Sequence, residues 1–155
     1  MCRRSDQPAQ GQWMRPSGYL ECGETLEEGA ARETFEETGV SINSSTLELC
    51  SVLNMPDIQQ VAIVFRTEFE TKPKIRAGIE CLDVAFMSEE DLQTVELAWR
   101  EALGDEPRQL FSELRSGQFS IRLIQIASQS GRGFQSRQYN ISSVLRTSQT
   151  HMARS

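Results

Sequence analysis

Glu33, Glu36 and Glu37 stand at positions i, i+3 and i+4. On a helix they share one face, with neighbouring Cβ atoms roughly 5–6 Å apart, and each like-charged pair costs roughly a few tenths of a kcal/mol. A face of this kind, taken alone, reads as solvated surface, because Glu is a good helix former. Residues 21–37, however, hold no lysine, and Arg32 is the only cation among them. Hard divalent cations with oxygen ligands are the natural counter-charge for such a face. Gly18 and Gly23 bend the chain just before it, where backbone carbonyls can turn towards a cation. Glu24 and Arg32 flank it, and Arg32 is placed to orient Glu33 through a two-pronged contact.

These carboxylates need a helix, and its signals are local. Thr25 is an N-cap, Glu28 completes a capping box, and Gly39 supplies the stop, so the helix is expected over Leu26–Thr38. Residues 13–21 read as short extended chain interrupted by Pro16 and Gly18. Strands are expected at 46–53, 60–69, 81–87 and 119–126, where β-branched and aromatic residues gather. Ser88 opens a short acidic turn, and residues 106–114 place Leu110, Phe111 and Leu114 at helical spacing. Beyond Ala127 the chain is rich in Ser, Gln, Arg and Gly, a composition expected to leave a loosely held or disordered arm. The expected organisation is one domain over 1–126 followed by a Ser/Arg-rich arm over 127–155. Without a regular βαβ rhythm, the class is α+β with a mixed sheet between helices.

Composition bounds the rest. A chain of 155 residues suits one domain, and 38% apolar with 25% charged residues is ordinary for a soluble protein. No membrane span or secretory leader is expected. Cys2, Cys22, Cys50 and Cys81 form no CxxC pair and, with His151 as the only histidine, no zinc set, so free thiols in a reducing compartment are the expectation. The lone histidine in the tail also excludes a Ser-His-Asp nucleophile. Net charge is −6, and all 22 acidic residues precede residue 119. An acidic body argues against nucleic-acid binding, which needs clustered Lys and Arg.

Residues 18–40 resemble the box of the Nudix hydrolase family: Gly18, Glu24, Arg32-Glu33, Thr34, Phe35, Glu36-Glu37, Thr38, Gly39, Val40, with Thr34 standing where an aliphatic residue is usual. The resemblance implies an α/β/α sandwich and hydrolysis of a diphosphate in a small-molecule nucleotide substrate. It implies two or three Mg2+ or Mn2+ ions held by Glu33 and Glu37, with Glu36 sharing the load. The Ser17 carbonyl would be a further ligand, and Glu24 and Arg32 belong to the same site as supports of its geometry. The catalytic base would be Glu33 or Glu80.

Other stretches over residues 11–99 resemble bacterial ADP-ribose diphosphatases and a plant chloroplast group that cleaves FAD and ADP-ribose. The sequence MPDIQQ after the box weighs against an NADH-cleaving relative. A nucleoside triphosphate pyrophosphohydrolase and a non-catalytic nucleotide-binding module are the alternatives. Trp13, Phe65, Phe86 and Trp99 are candidates for an adenine slot, although core packing is the expected role of each, and Gln59 and Gln60 could reach a base or ribose. The resemblance also implies strands ahead of residue 1, so the fold is expected to lack its usual N-terminal strands. It leaves a homodimer open. The expected compartment is the cytoplasm, or a chloroplast if a transit peptide lies upstream.

Overall fold

In chain order the elements are β1 (Cys2–Arg4), β2 (Trp13–Met14), α1 (Leu26–Thr38), β3 (Glu48–Met55), β4 (Gln60–Arg66), β5 (Cys81–Val84), α2 (Asp91–Thr94), α3 (Glu106–Ser116), β6 (Arg122–Gln129) and β7 (Gly133–Asn140). This computed structural model describes residues 1–100, 106–129 and 133–140. Two compact units emerge: Met1–Glu48 with Phe65–Arg100, and Leu49–Val64 with Glu101–Ser155.

The first unit carries a three-stranded sheet of order β2-β1-β5, antiparallel throughout. The far edge of β2 is taken up by the chain at 96–98: the Trp13 N–H donates to the Glu96 carbonyl at 2.8 Å, and the Ala98 N–H donates to that of Trp13 at 2.9 Å. A disulfide joins Cys2 to Cys81 across β1 and β5, with Cα atoms 5.8 Å apart. This corrects the expectation of free thiols at these two positions. Their separation of 79 residues carried no hint of a pairing that only the strand register creates.

Helix α1 forms where its end signals place it. The Thr25 Oγ1 accepts from the Glu28 N–H at 3.2 Å while the Glu28 carboxylate accepts from the Thr25 N–H at 2.8 Å. Gly39 ends the helix in the left-handed region, φ 71°, its N–H donating to the Phe35 carbonyl. Thr34 faces an apolar pocket with Thr38, Val40, Ile42 and Val84. Its hydroxyl is satisfied within the helix, donating to the Ala30 carbonyl at 2.7 Å, so threonine serves where an aliphatic residue is usual. At the acidic turn, the Asp91 carboxylate accepts from both the N–H and hydroxyl of Ser88 at 2.8 Å.

The second unit carries a four-stranded sheet of order β4-β3-β6-β7. It is mixed: β3 runs parallel to β6, and β6 antiparallel to β7. Leu53 lies opposite Ile124, and Leu53, Ile124 and Ile126 are buried together with Met55, Ala62 and Val64 packed on them. Each such side chain contributes roughly 1.5–3 kcal/mol when fully buried. The α+β class and the mixed sheet are therefore as expected.

Several boundaries move for local reasons. Strand β3 starts at Glu48 rather than 46, because Asn43 caps a 3-10 turn over Ser44–Thr46. It ends at Met55, before Pro56, which has no N–H to donate. The expected break between 126 and 127 falls inside β6, and β7 occupies Gly133–Asn140 of the segment expected to be a loose arm. Its polar, β-branch-poor composition concealed a strand that is specified by eight consecutive pairings with β6. Residues 141–155 lie outside the described residues.

Candidate active site

Arg32 is the hub of the glutamate face. Its Nε and Nη2 donate to the two Glu24 carboxylate oxygens at 3.1 and 2.7 Å. Its Nη1 donates to Glu33 Oε1 at 2.8 Å and to Glu36 Oε2 at 3.1 Å, and Nη2 also reaches the Tyr19 carbonyl at 3.0 Å. One guanidinium thus fixes three carboxylates and the loop ahead of the helix. The Arg32 and Glu21 donors hold the Glu24 carboxyl below the usual carboxylate range, and Glu24 and Glu33 raise the Arg32 pKa. Both Glu24 oxygens are engaged in this way, so in this geometry Glu24 orients Arg32.

Gly18 makes the close approach possible. A Cβ at this position would overlap the Glu33 carboxylate, so any larger residue would push that side chain off the face.

Glu37 differs from its neighbours. It is buried, whereas Glu36 is exposed. The Ser17 N–H donates to its Oε2 at 3.3 Å, and burial pushes its carboxyl up to about 7 against that hydrogen bond, with Glu33 and Glu80 adding repulsion and Arg4 opposing it. Burial disfavours the charged form, and neighbouring negative charge does the same. Glu33 and Glu80 therefore both add negative charge around Glu37.

The chain at 76–80 is tied to the end of α1. The Arg76 N–H donates to the Thr38 carbonyl at 2.8 Å, and the Gly78 N–H donates to that of Glu37 at 2.9 Å. A Cβ at Gly78 would overlap the Glu36 carbonyl. This docking sets Glu80 at the head of β5, where its own carbonyl accepts from the Ser5 N–H at 3.2 Å. Sequence reasoning singled out Glu80 but missed Gly78, whose importance rests on a contact remote in the chain.

The profile of the NUDIX domain matches residues 1–109. A Nudix hydrolase structure from Nitrosomonas europaea superposes with a TM-score of 0.68 at 32% identity, over 82% of this chain and 70% of that one. The chain belongs to the Nudix hydrolase family. An ADP-ribose pyrophosphatase of Methanocaldococcus jannaschii is 39% identical over 57 residues, which is 37% of this chain and 32% of that protein. A MutT-like protein of Streptomyces ambofaciens is 44% identical over 64 residues, 41% of this chain and 38% of that protein. The chain thus matches about a third of the length of these curated relatives. The Nudix domain of NrtR from Shewanella oneidensis, solved with ADP ribose, shares the fold, with a TM-score of 0.56 at 24% identity over 75% of this chain and 74% of that one.

Nudix hydrolases generally use divalent metals, and the donor set fits such ions. It offers carboxylate oxygens on one helix face, with a buried member whose charged form burial and acidic neighbours disfavour. Ser17 lies beside Glu37 through its N–H, which donates to the carboxylate. Among the other candidates, Phe86 and Trp99 are exposed, against the expectation of core packing. A cation covers each ring: Lys72 Nζ lies 5.0 Å from the Phe86 centroid, and the Arg4 guanidinium 5.2 Å from that of Trp99. Trp13 and Phe65 are half-buried in β2 and β4. Gln59 and Gln60 belong to the second unit. No helix among the described residues is long and apolar enough to cross a membrane.

Proposed function

We propose that this chain hydrolyses the diphosphate linkage of a nucleoside diphosphate derivative such as ADP-ribose or FAD, with Mg2+ or Mn2+, to give AMP and a phosphorylated product. The observation that carries this reading is the glutamate face of α1, where one guanidinium, that of Arg32, holds Glu24, Glu33 and Glu36 in place beside the buried Glu37. The likeness to an ADP-ribose pyrophosphatase supports the choice of substrate.

Glu33, Glu36 and Glu37 would hold the ions, with a backbone carbonyl at Ser17 completing the set. The bound ions would neutralise the diphosphate and make water more acidic. Arg32 fixes Glu33 and Glu36 so that their oxygens are placed before substrate arrives, which removes reorganisation from the chemical step. Of the two candidate bases, Glu33 and Glu80, we take Glu80, supported by the contact of Glu33 with Arg32 and by the exposure of Glu80 at the end of a docked loop. It would take the proton of the attacking water as the oxygen closes on phosphorus.

The test is chromatographic product analysis after incubation with Mg2+ and, separately, ADP-ribose, FAD, NADH and a nucleoside triphosphate. AMP from ADP-ribose or FAD, lost in Glu37→Gln, is the expected result. Pyrophosphate from the triphosphate alone would move the assignment to a house-cleaning pyrophosphohydrolase. Tight ADP-ribose binding without turnover would make the chain a binding module.

A further inference from the structure

The Cys2–Cys81 disulfide abuts the box. Both sulfurs and a Glu37 carboxylate oxygen lie within 4.8 Å of one another, and all three residues are buried. We propose that reduction of this bridge turns Cys2, Cys81 and Glu37 into a site for a thiophilic divalent cation of the Zn2+ class, one that competes with the oxygen-only box for Glu37.

The ligand chemistry supports it. Two thiolates and one carboxylate form a mixed sulfur and oxygen set that suits Zn2+ and leaves a fourth position for water. A tetrahedral site with Zn–S near 2.3 Å and Zn–O near 2.1 Å spaces its donors about 3.4–3.8 Å apart. The Cα separation of 5.8 Å between the cysteines lets side-chain rotation alone bring the two sulfurs to that spacing once the bond between them is gone. Mg2+ prefers oxygen donors and gains little from the thiolates, so the two sites differ in hardness while sharing one carboxylate.

The reduction step is an exchange with a small dithiol. The dithiol supplies two electrons and two protons, the protein S–S bond breaks to give two thiols, and the reagent leaves as its own disulfide. Zn2+ binding then releases the two thiol protons. In the oxidised chain both sulfurs are committed to each other, so the site does not exist and Glu37 stays with the box. Zn2+ would then inhibit the reduced chain but spare the oxidised one. That consequence rests on the proposed hydrolysis, whereas cation binding itself does not.

Co2+ titration of the full chain tests the site by absorbance. The reduced protein should develop a thiolate-to-cobalt charge-transfer band saturating at one equivalent, displaced by Zn2+ and absent after oxidation or in Cys81→Ser. In the unsubstituted chain, Zn2+ should slow alkylation of Cys2 and Cys81 by about tenfold or more at saturating metal, with exposed Cys22 unprotected as the internal control. No band in the reduced chain, an equal band in the oxidised chain, or equal protection of Cys22 would each overturn the proposal. Band and protection in a chain that releases no AMP would uphold the site and count against the hydrolase reading instead.

Discussion

Two buried carboxylates are treated in opposite ways. In the second unit Glu113 is paired with the fully buried Arg122, Nη1 to Oε2 at 2.9 Å, and the Ser120 hydroxyl donates to its Oε1 at 2.7 Å. Arg122 also donates to the Cys50 sulfur at 3.1 Å. In the first unit Glu37 is equally buried but faces Glu33 and Glu80 as well as Arg4, the Met1 ammonium and the Ser17 N–H, and burial together with its acidic neighbours still leaves its carboxyl raised. A charge balanced inside the protein is structural. One whose charged form is disfavoured by burial and by neighbours of its own sign is suited to the proposed role of meeting a cation from solution.

Substitution should separate these roles. Glu37→Gln is expected to lower AMP release by about 10²–10³-fold while leaving the urea midpoint unchanged or higher, because it removes a buried charge that burial disfavours. Arg122→Met should do the reverse. It strands Glu113 and should cost about 3–5 kcal/mol in urea unfolding, and the double change Arg122→Met with Glu113→Leu should regain most of it. A large loss of stability in Glu37→Gln would show that its charge is already satisfied and would break the comparison.

The comparison also has a pH signature. The folded carboxyl of Glu37 is raised to about 7 from an ordinary 4.5, so between these values the folded chain holds a proton that the unfolded chain has lost. This group's contribution to metal-free stability is therefore present below pH 4.5 and declines as pH rises to about 7. Divalent ions bind the ionised form and compete with that proton. Mg2+ affinity should climb by up to about tenfold per unit below pH 7 and level off above it. Calorimetry in buffers of different ionisation heat should register close to one proton released per ion at pH 6. A flat affinity between pH 5.5 and 8 would contradict the raised carboxyl of Glu37.

The smallest effect concerns the platform. Thr25→Ala removes the Glu28 N–H acceptor and should cost about 1 kcal/mol, read by thermal melting. Glu28→Ala breaks the other half of the same reciprocal pair and should cost no more.

What could be read from the chain follows the range of the interaction. Helix α1 was legible to its ends, since Thr25, Glu28 and Gly39 act within a turn of where they stand. The alignment of Glu33, Glu36 and Glu37 came from spacing alone. Their unequal burial did not: helical spacing alone does not tell Glu37 from Glu36, which only the family resemblance ranked apart, because burial depends on the chain packed against the helix end, including the loop at 76–80. The Cys2–Cys81 bridge and the Gly78 contact were hidden for the same reason. Strand β7 was hidden differently, since its pairing with β6 uses backbone groups that any residue except proline can offer.

The two backbone hydrogen bonds from Arg76 and Gly78 to the last carbonyls of α1 make fraying of that helix end and release of the Glu80 loop a single local event. Amide protons at 76 and 78 should then exchange with solvent together, as one cooperative patch. Any ion that bridges Glu37 and Glu80 must oppose that opening, so their slowed exchange would signal site occupancy without turnover.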